Sequence, residues 1–496
     1  MSSVNKTEPV IVHAFINGEQ YETDKRAPRE NPSNPSEIVG YSPENTREDT
    51  IRAIDAASDA FKDWSQVSVT ERIACMQRAS EKIKAAIDDL GVLLAREHGK
   101  ALYDAKGELT ISTIWMDYAC GIVQEEIKDR VHEDERGRVI VTHDPIGVVS
   151  AITPWNYPII LALVKVVPAL LTGNTMVVKP SPFAPLTITK VIEMIASEFP
   201  NGVLNIVHGG SDVGSELTSN PKVGKIAFTG GTKTARHIMK AAADTIKNLT
   251  LELGGNDPGI VLEDFDVNDD RAIRRIVISN FLTGGQICMI AKRIYVHRSI
   301  YDQFVPRYIE AANKWIRIGD SLNPDVTVGP MNNEAQVKFV QSLIDDAKQR
   351  GSEIIPLGRI LDKEVYDKGY FLQPTLVLGA DNEDPVVVEE QFGPLVPIVP
   401  YDSEEQVIAE ANDSIYGLTS SVWGEEEHAI RVARRIQAGV TMINTGGLPG
   451  FDIRFPFGGV KQSGMGREFG PGSFMAYVEK HVLTVPKSGE LPYIPE

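Results

Sequence analysis

Residues 281–293 read FLTGGQICMIAKR and place one cysteine, Cys288, after Gly284, Gly285 and Gln286 and before Lys292 and Arg293. Glycines let a backbone turn sharply and approach a ligand closely, and cations nearby favour a thiolate, so the window suits a nucleophilic thiol. Taken alone it suits a small buried hydrophobe equally well. Further windows carry groups that could serve such a thiol: PWNYP at 154–158, LELGGN at 251–256, EEQFGP at 389–394 and PFGGVKQSGMGREFG at 456–470. By itself Asn156 is a turn residue. Glu252 by itself is the solvated face of an alternating strand, although Gly254 and Gly255 follow it as they would at a strand end opening on a cleft.

The elements that must position these groups are those of an α/β protein. IGVVSAIT, TMVVKPS, GVLNIVHGG and KIAFTGG are short apolar runs separated by helical patterns such as LTITKVIEMIASEF. All-apolar strands alternating with helices predict a parallel sheet covered on both faces. A second such block has strands in DPGIVLEDFD, KRIYVH, FLQPTLVLG and LVPIVPYD, with SIYDQFVPRYIEAANKW as a covering helix. Before them, VHAFINGEQY predicts strands turning at Asn17-Gly18. Asn45 with Glu48, and Ser68 with Glu71, have capping-box spacing, and Ile73, Met76, Ile83, Ile87, Leu90 and Leu93 form a buried stripe after the second.

A chain of 496 residues, 42% hydrophobic and 24% charged, has room for two or three domains with large cores. The longest apolar run, 159–171, contains Lys165 and is too short to span a bilayer, and MSSVNKTEPV has no signal-peptide core, so a cytoplasmic protein is expected. With 68 acidic against 50 basic residues the net charge is −18, which excludes nucleic acid and anionic membranes as expected partners. Cys75, Cys120 and Cys288 form no close-spaced set, so neither disulfides nor a metal site is expected; Cys75 and Cys120 belong to helical packing.

Together, in this order and at these separations, the five windows resemble the aldehyde dehydrogenase superfamily, from FINGE at 15–19 to beyond Tyr477. The resemblance implies NAD(P)-dependent oxidation of a small-molecule aldehyde to its acid. In that chemistry a thiolate adds to the carbonyl, and the resulting thiohemiacetal oxyanion expels hydride to leave a thioester, which water then hydrolyses. By resemblance Cys288 is the nucleophile, the Asn156 amide and the Cys288 N–H hold the oxyanion, and Glu252 activates the water. Family members that pass the acyl group to coenzyme A typically lack that glutamate. For the cofactor the resemblance implies Thr153, Trp155, Lys179 at the adenine ribose, the turn of Gly230, Gly231 and Thr232, and Glu390 and Phe392 at the nicotinamide. Tunnel walls would include Tyr157, Val164, Ile287, Met289, Phe451 and Phe457. Arg454 would meet an anionic substrate, or pair with Asp452 at the surface. Lys165 and Glu468 match a proton relay, or form a structural ion pair.

Some positions depart from the family pattern. Gly231 replaces a serine and Ala235 a glycine in the turn after KIAF. Pro182 replaces a glutamate that pairs with ribose hydroxyls and repels the NADP phosphate, so NAD with some use of NADP is expected. Thr283 stands where asparagine is common, for no reason visible in the sequence. The implied architecture is two doubly wound parallel-sheet domains and a small oligomerisation β-segment. Residues 1–121 and 146–256 would bind dinucleotide, 257–455 would carry the nucleophile, and 122–145 with 477–496 would build a homodimer or homotetramer. A coenzyme A-acylating semialdehyde dehydrogenase and a catalytically silent structural member are the alternatives.

Overall fold

The computed structural model describes residues 8–487; the N-terminal stretch before Glu8 and the tail after Lys487, about which the sequence carried expectations, lie outside the described residues. The first sheet has eight strands in the order Gly464–Met465, Asn248–Glu252, Val223–Thr229, Val148–Ile152, Thr175–Lys179, Leu204–Ile206, Ala14–Ile16 and Glu19–Tyr21. Its five inner strands are parallel: four are the apolar runs expected to be buried on both faces, and the fifth, Asn248–Glu252, is the strand read as alternating. The edges are antiparallel, so the sheet is mixed rather than purely parallel. The turn at Asn17-Gly18 is present, both residues having positive φ.

Register explains where the site must be. Ile152 lies opposite Lys179 and Phe228, and Thr229 lies opposite Glu252. The chain therefore leaves adjacent strands at Thr153, Gly230 and Leu253 along one edge, the carboxyl edge where open α/β sheets take ligands.

The second sheet has seven strands in the order Glu353–Pro356, Thr375–Leu378, Leu395–Tyr401, Ala291–His297, Asp257–Val261, Thr419–Trp423 and Val440–Ile443. All pairs are parallel except the first. Thr419–Trp423 carries little apolar pattern in its sequence, TSSVW, yet all five residues are buried. This sheet faces the site with its amino ends: Cys288 just precedes Ala291–His297, and Glu390 and Phe392 precede Leu395–Tyr401. The chain then returns, and Gly464–Met465 pairs antiparallel with Leu251 and Glu252 on the first sheet.

The helix Leu102–Glu126 runs past the boundary expected at 121, and a three-stranded antiparallel sheet of Arg130–Asp134, Gly137–Pro145 and Val478–Pro486 follows. Ser68 and Glu71 form the expected capping box. The other box is shifted by one residue to Thr46 and Asp49, because the Asn45 side chain is taken by the backbone N–H of His208 at 2.8 Å. The buried stripe breaks at Ala86 into the helices Val69–Ala85 and Ile87–His98. Cys120 is buried and Cys75 half-buried.

Candidate active site

The helix Asp270–Phe281 ends in a reversal in which Thr283, Gly284 and Gly285 all have positive φ, of 51°, 63° and 73°. Two glycines adopt this freely, but a β-branched threonine does not, and asparagine tolerates it better. That accounts for the asparagine common at this position in the resembling family. The Thr283 hydroxyl instead donates to the Asp104 carboxylate, its oxygen 2.6 Å from that of Tyr157. Buried Gln286 then locks the loop: its Nε2 donates to the Thr283 carbonyl at 2.9 Å and its Oε1 accepts from Asn332 N at 2.9 Å.

Cys288 emerges from this loop half-buried between two cavities. One, of about 280 Å³, is bordered by Trp155, Asn156, Gly230, Gly231, Gly254, Glu390 and Phe392. The other, of about 360 Å³, is bordered by Tyr157, Ile287, Met289, Phe451, Phe457 and Phe469. Among the described residues, only Asn156 and Cys288 border both. The Asn156 Nδ2 donates to the Gln286 carbonyl at 3.1 Å, two residues from the thiol. Burial pushes the Cys288 thiol up to about 12, opposed by the Lys292 ammonium, which donates to the Cys288 carbonyl at 2.6 Å. The resting group is therefore a thiol that needs a base.

Glu252 ends its strand in the interior, and neither carboxylate oxygen has a hydrogen-bond partner among the described residues. Burial, and then the nearby Glu468, push its pKa well above the usual carboxylate range, which suits a group that accepts and returns protons. Glu468 itself is buried and bonds the Lys165 ammonium at 2.6 Å; that ammonium also donates to Thr229 at 2.7 Å.

Around the first cavity, whose border takes in Gly230, Gly231, Glu390 and Phe392 but not Lys179, Thr153 or Thr232, lie the features of an anion-binding cleft. Lys179 is buried with only the Pro180 carbonyl, at 3.5 Å, as partner, and burial pulls its pKa down to about 8. The buried Thr153 hydroxyl has no partner. The helix Thr232–Ala243 begins at Gly231 without a side-chain cap, leaving its first N–H groups for a ligand. The Glu390 carboxylate accepts from Gly255 N at 3.0 Å. The Phe392 ring stands edge-on to Trp155 at 5.4 Å, its backbone at φ 49°. Thr232 is half-buried and bonds the Gln462 carbonyl at 3.4 Å. An unpaired buried cation, an orphan hydroxyl and an uncapped helix fit a dinucleotide.

Two expectations for the second cavity need correction. Arg454 borders neither cavity; it is 65% exposed and its guanidinium clasps Asp452 at 2.6 Å, because the tight turn after Phe451 brings the two side chains together. Val164 is fully buried in the core on the helix Ile160–Leu171. Sequence reasoning also missed residues. Tyr103, Asp104, Glu108 and Ile111 border the second cavity from the helix Leu102–Glu126, and the spacing 104, 108, 111 was the available sign of one helix face. Gln336 and Phe339 reach the first cavity from the helix Glu334–Gln349, which carries no motif.

Comparison with known proteins gives the family. The family model described as the aldehyde dehydrogenase family matches residues 19–483. Glutarate-semialdehyde dehydrogenase of Pseudomonas putida is 36% identical, covering 95% of this chain and 97% of its own. NADP-dependent succinate-semialdehyde dehydrogenase of Escherichia coli is also 36% identical, covering 92% and 94%. The crystal structure of betaine aldehyde dehydrogenase from Staphylococcus aureus in complex with NAD+ superposes with a TM-score of 0.91 at 32% identity, over 98% of this chain and 97% of that one. With its motifs in order, its two sheets meeting at Cys288 and a match over nearly its whole length, the chain belongs to the aldehyde dehydrogenase family, an oxidoreductase that uses NAD or NADP.

Proposed function

We propose that the protein oxidises an aldehyde with an uncharged, apolar or aromatic tail to its carboxylic acid, by way of a thioester on Cys288. The observation that carries the mechanism is the placement of Cys288 and Asn156 on the shared border of the two cavities. An aldehyde entering the second cavity meets the thiol; Glu252 takes its proton as the S–C bond forms. The oxyanion is held by the Asn156 amide and the Cys288 N–H. The Gly231 turn, Glu390 and Phe392 at the first cavity, with Lys179 and Thr153 beyond its border, would hold NAD(P), which would supply the hydride acceptor. Glu252 then deprotonates the water that attacks the thioester carbonyl, and the acid leaves with the thiol regenerated. Lys165 and Glu468 form the buried pair through which the Glu252 proton departs.

The substrate class follows from what borders the second cavity. Its walls are apolar and aromatic, and the charged groups among them, Asp104 and Glu108, are acidic. Glu108 is neutralised by buried Lys100 at 2.7 Å, but Asp104 is bonded only by the hydroxyls of Tyr157 and Thr283. A distal carboxylate would be buried without a cation and close to a carboxylate, an arrangement that costs several kcal/mol. Hexanal or benzaldehyde should therefore exceed succinate semialdehyde in kcat/KM by roughly 100-fold or more. Arg454→Ala should change kcat/KM for either by less than about 2-fold, since a solvated surface ion pair contributes little. A preference for the semialdehyde that Arg454→Ala abolishes would overturn this assignment.

Lys179 gives a pH prediction. Its free-enzyme pKa of about 8 means that the ammonium is lost as pH rises through that value. The NADP/NAD ratio of kcat/KM should fall above pH 8, because the additional phosphate depends on the cation more than ribose hydroxyls do. A ratio flat from pH 7 to 9.5 would remove Lys179 from cofactor recognition. The three-stranded sheet, with Val131, Val482, Leu483 and Val485 exposed, is proposed to bury itself in a homodimer or homotetramer.

A further inference from the structure

Three segments converge beside the thiol, and one carboxylate touches two of them. Asp104, on the helix Leu102–Glu126, accepts from the Tyr157 hydroxyl at 2.8 Å through one oxygen and from the Thr283 hydroxyl through the other. The two hydroxyl oxygens lie 2.6 Å apart, completing a triangle in the interior; with both hydrogens directed at the carboxylate, Asp104 is what holds them together. Tyr157 is the residue after Asn156, and Thr283 begins the reversal that delivers Cys288. The Asn156 amide bonds the Gln286 carbonyl on that same loop, and Gln286 bonds back to the Thr283 carbonyl. The supporting helix is itself fixed. Four residues on from Asp104, Glu108 accepts from Ile159 N at 2.7 Å and Ile160 N at 3.2 Å, just beyond PWNYP, and from Lys100 at 2.7 Å.

We propose that Asp104 is a positioning residue for the oxyanion site: by holding Tyr157 and Thr283 together it sets the separation between the Asn156 amide and the Cys288 sulfur. The Thr283 backbone supports this. A β-branched residue at φ 51° is unfavourable, and the hydroxyl bond to Asp104 holds it there. Without that tether the reversal would relax and the sulfur would move relative to the amide; a shift of about 1 Å at a reacting centre costs on the order of 100-fold in rate. This rests on Cys288 and Asn156 acting as proposed above.

The test uses the full-length chain and two reagents for Cys288 that need no cofactor. p-Nitrophenyl acetate acylates a thiol through a tetrahedral oxyanion and releases p-nitrophenolate; iodoacetamide alkylates it by displacing iodide, with no oxyanion at a carbonyl. Asp104→Ala should slow acylation about 10- to 100-fold while alkylation changes less than about 3-fold. Asp104→Asn, which keeps a hydrogen-bonding group of the same shape, should stay within about 3-fold of the wild type in both. Tyr157→Phe and Thr283→Val, each removing one of the two hydroxyls that Asp104 holds, should slow acylation about 3- to 30-fold with alkylation retained, and they carry the test if Asp104→Ala does not fold. Unchanged acylation in all these variants overturns the proposal. So does an equal loss of both reactions, which signals a collapsed or shielded thiol, and so does an Asp104→Asn as slow as Asp104→Ala, which signals a role for the charge alone. A wild-type protein whose Cys288 is not acylated overturns the nucleophile itself, and is distinguished from the other outcomes by that control.

Discussion

Replacing Cys288 with alanine is expected to abolish aldehyde oxidation, a fall of roughly 10⁴-fold or more in kcat, while NAD binding and thermal stability stay near wild type. The reason is geometric. Cys120 is buried among helix residues of the first lobe and Cys75 is on the helix Val69–Ala85, hydrogen-bonded by Arg78 at 3.4 Å; neither borders the two cavities. Neither can replace a thiol positioned against the Asn156 amide. The loss should be chemical and not structural, because Cys288 is half-buried at a cavity wall and removing one sulfur there leaves the surrounding packing in place. NADH formation with hexanal, followed by absorbance, together with a thermal melt, measures both. Residual turnover within 100-fold of wild type would remove Cys288 from the nucleophile role.

The Glu252→Gln variant separates the two halves of the reaction. The carboxylate is unpartnered and buried, with its pKa raised, so it is free to serve as a base on either side of hydride transfer. If its indispensable role is at the water, rapid mixing should show one equivalent of NADH per active site. Steady-state turnover should then fall by about 10²- to 10⁴-fold, with an acyl adduct on Cys288 visible by intact mass. The Cys288 thiol, raised to about 12, gives Glu252 the earlier role proposed above. Because it takes the thiol proton as well, burst and turnover should fall together, and a full surviving burst would confine Glu252 to the water. Turnover recovered by adding coenzyme A would identify a thiol acceptor in place of water.

Much of the site was legible in the sequence because catalytic groups of this kind are local strings. The thiol, the amide in PWNYP and the carboxylate in LELGG are each carried in a few residues whose glycines and prolines announce strand ends and turns. The four apolar runs fixed the parallel core of the first sheet, since a strand buried on both faces must be apolar throughout. A polar strand such as Thr419–Trp423 was not legible. Its place in the sheet comes from neighbouring strands and from partners for its hydroxyls, including the Asp257 carboxylate that bonds Thr419 and the Thr441 hydroxyl that bonds Ser420 at 2.7 Å.

Only the tertiary structure decided which side chains face which cavity. In sequence Arg454 lies three residues from Phe457, yet the turn sends Phe457 inward and leaves Arg454 outside on Asp452. Val164 is on a helix that follows a wall residue, but it turns into the core. Asp104 stands 179 positions from Thr283, and no pattern along the chain relates them; the fold joins them through a hydrogen bond. The physical distinction is range. Chemical identity, turn geometry and apolar periodicity are properties of neighbouring residues and can be read along the chain, whereas cavity walls and the contacts that hold a loop in an unfavourable conformation depend on elements that meet only after folding.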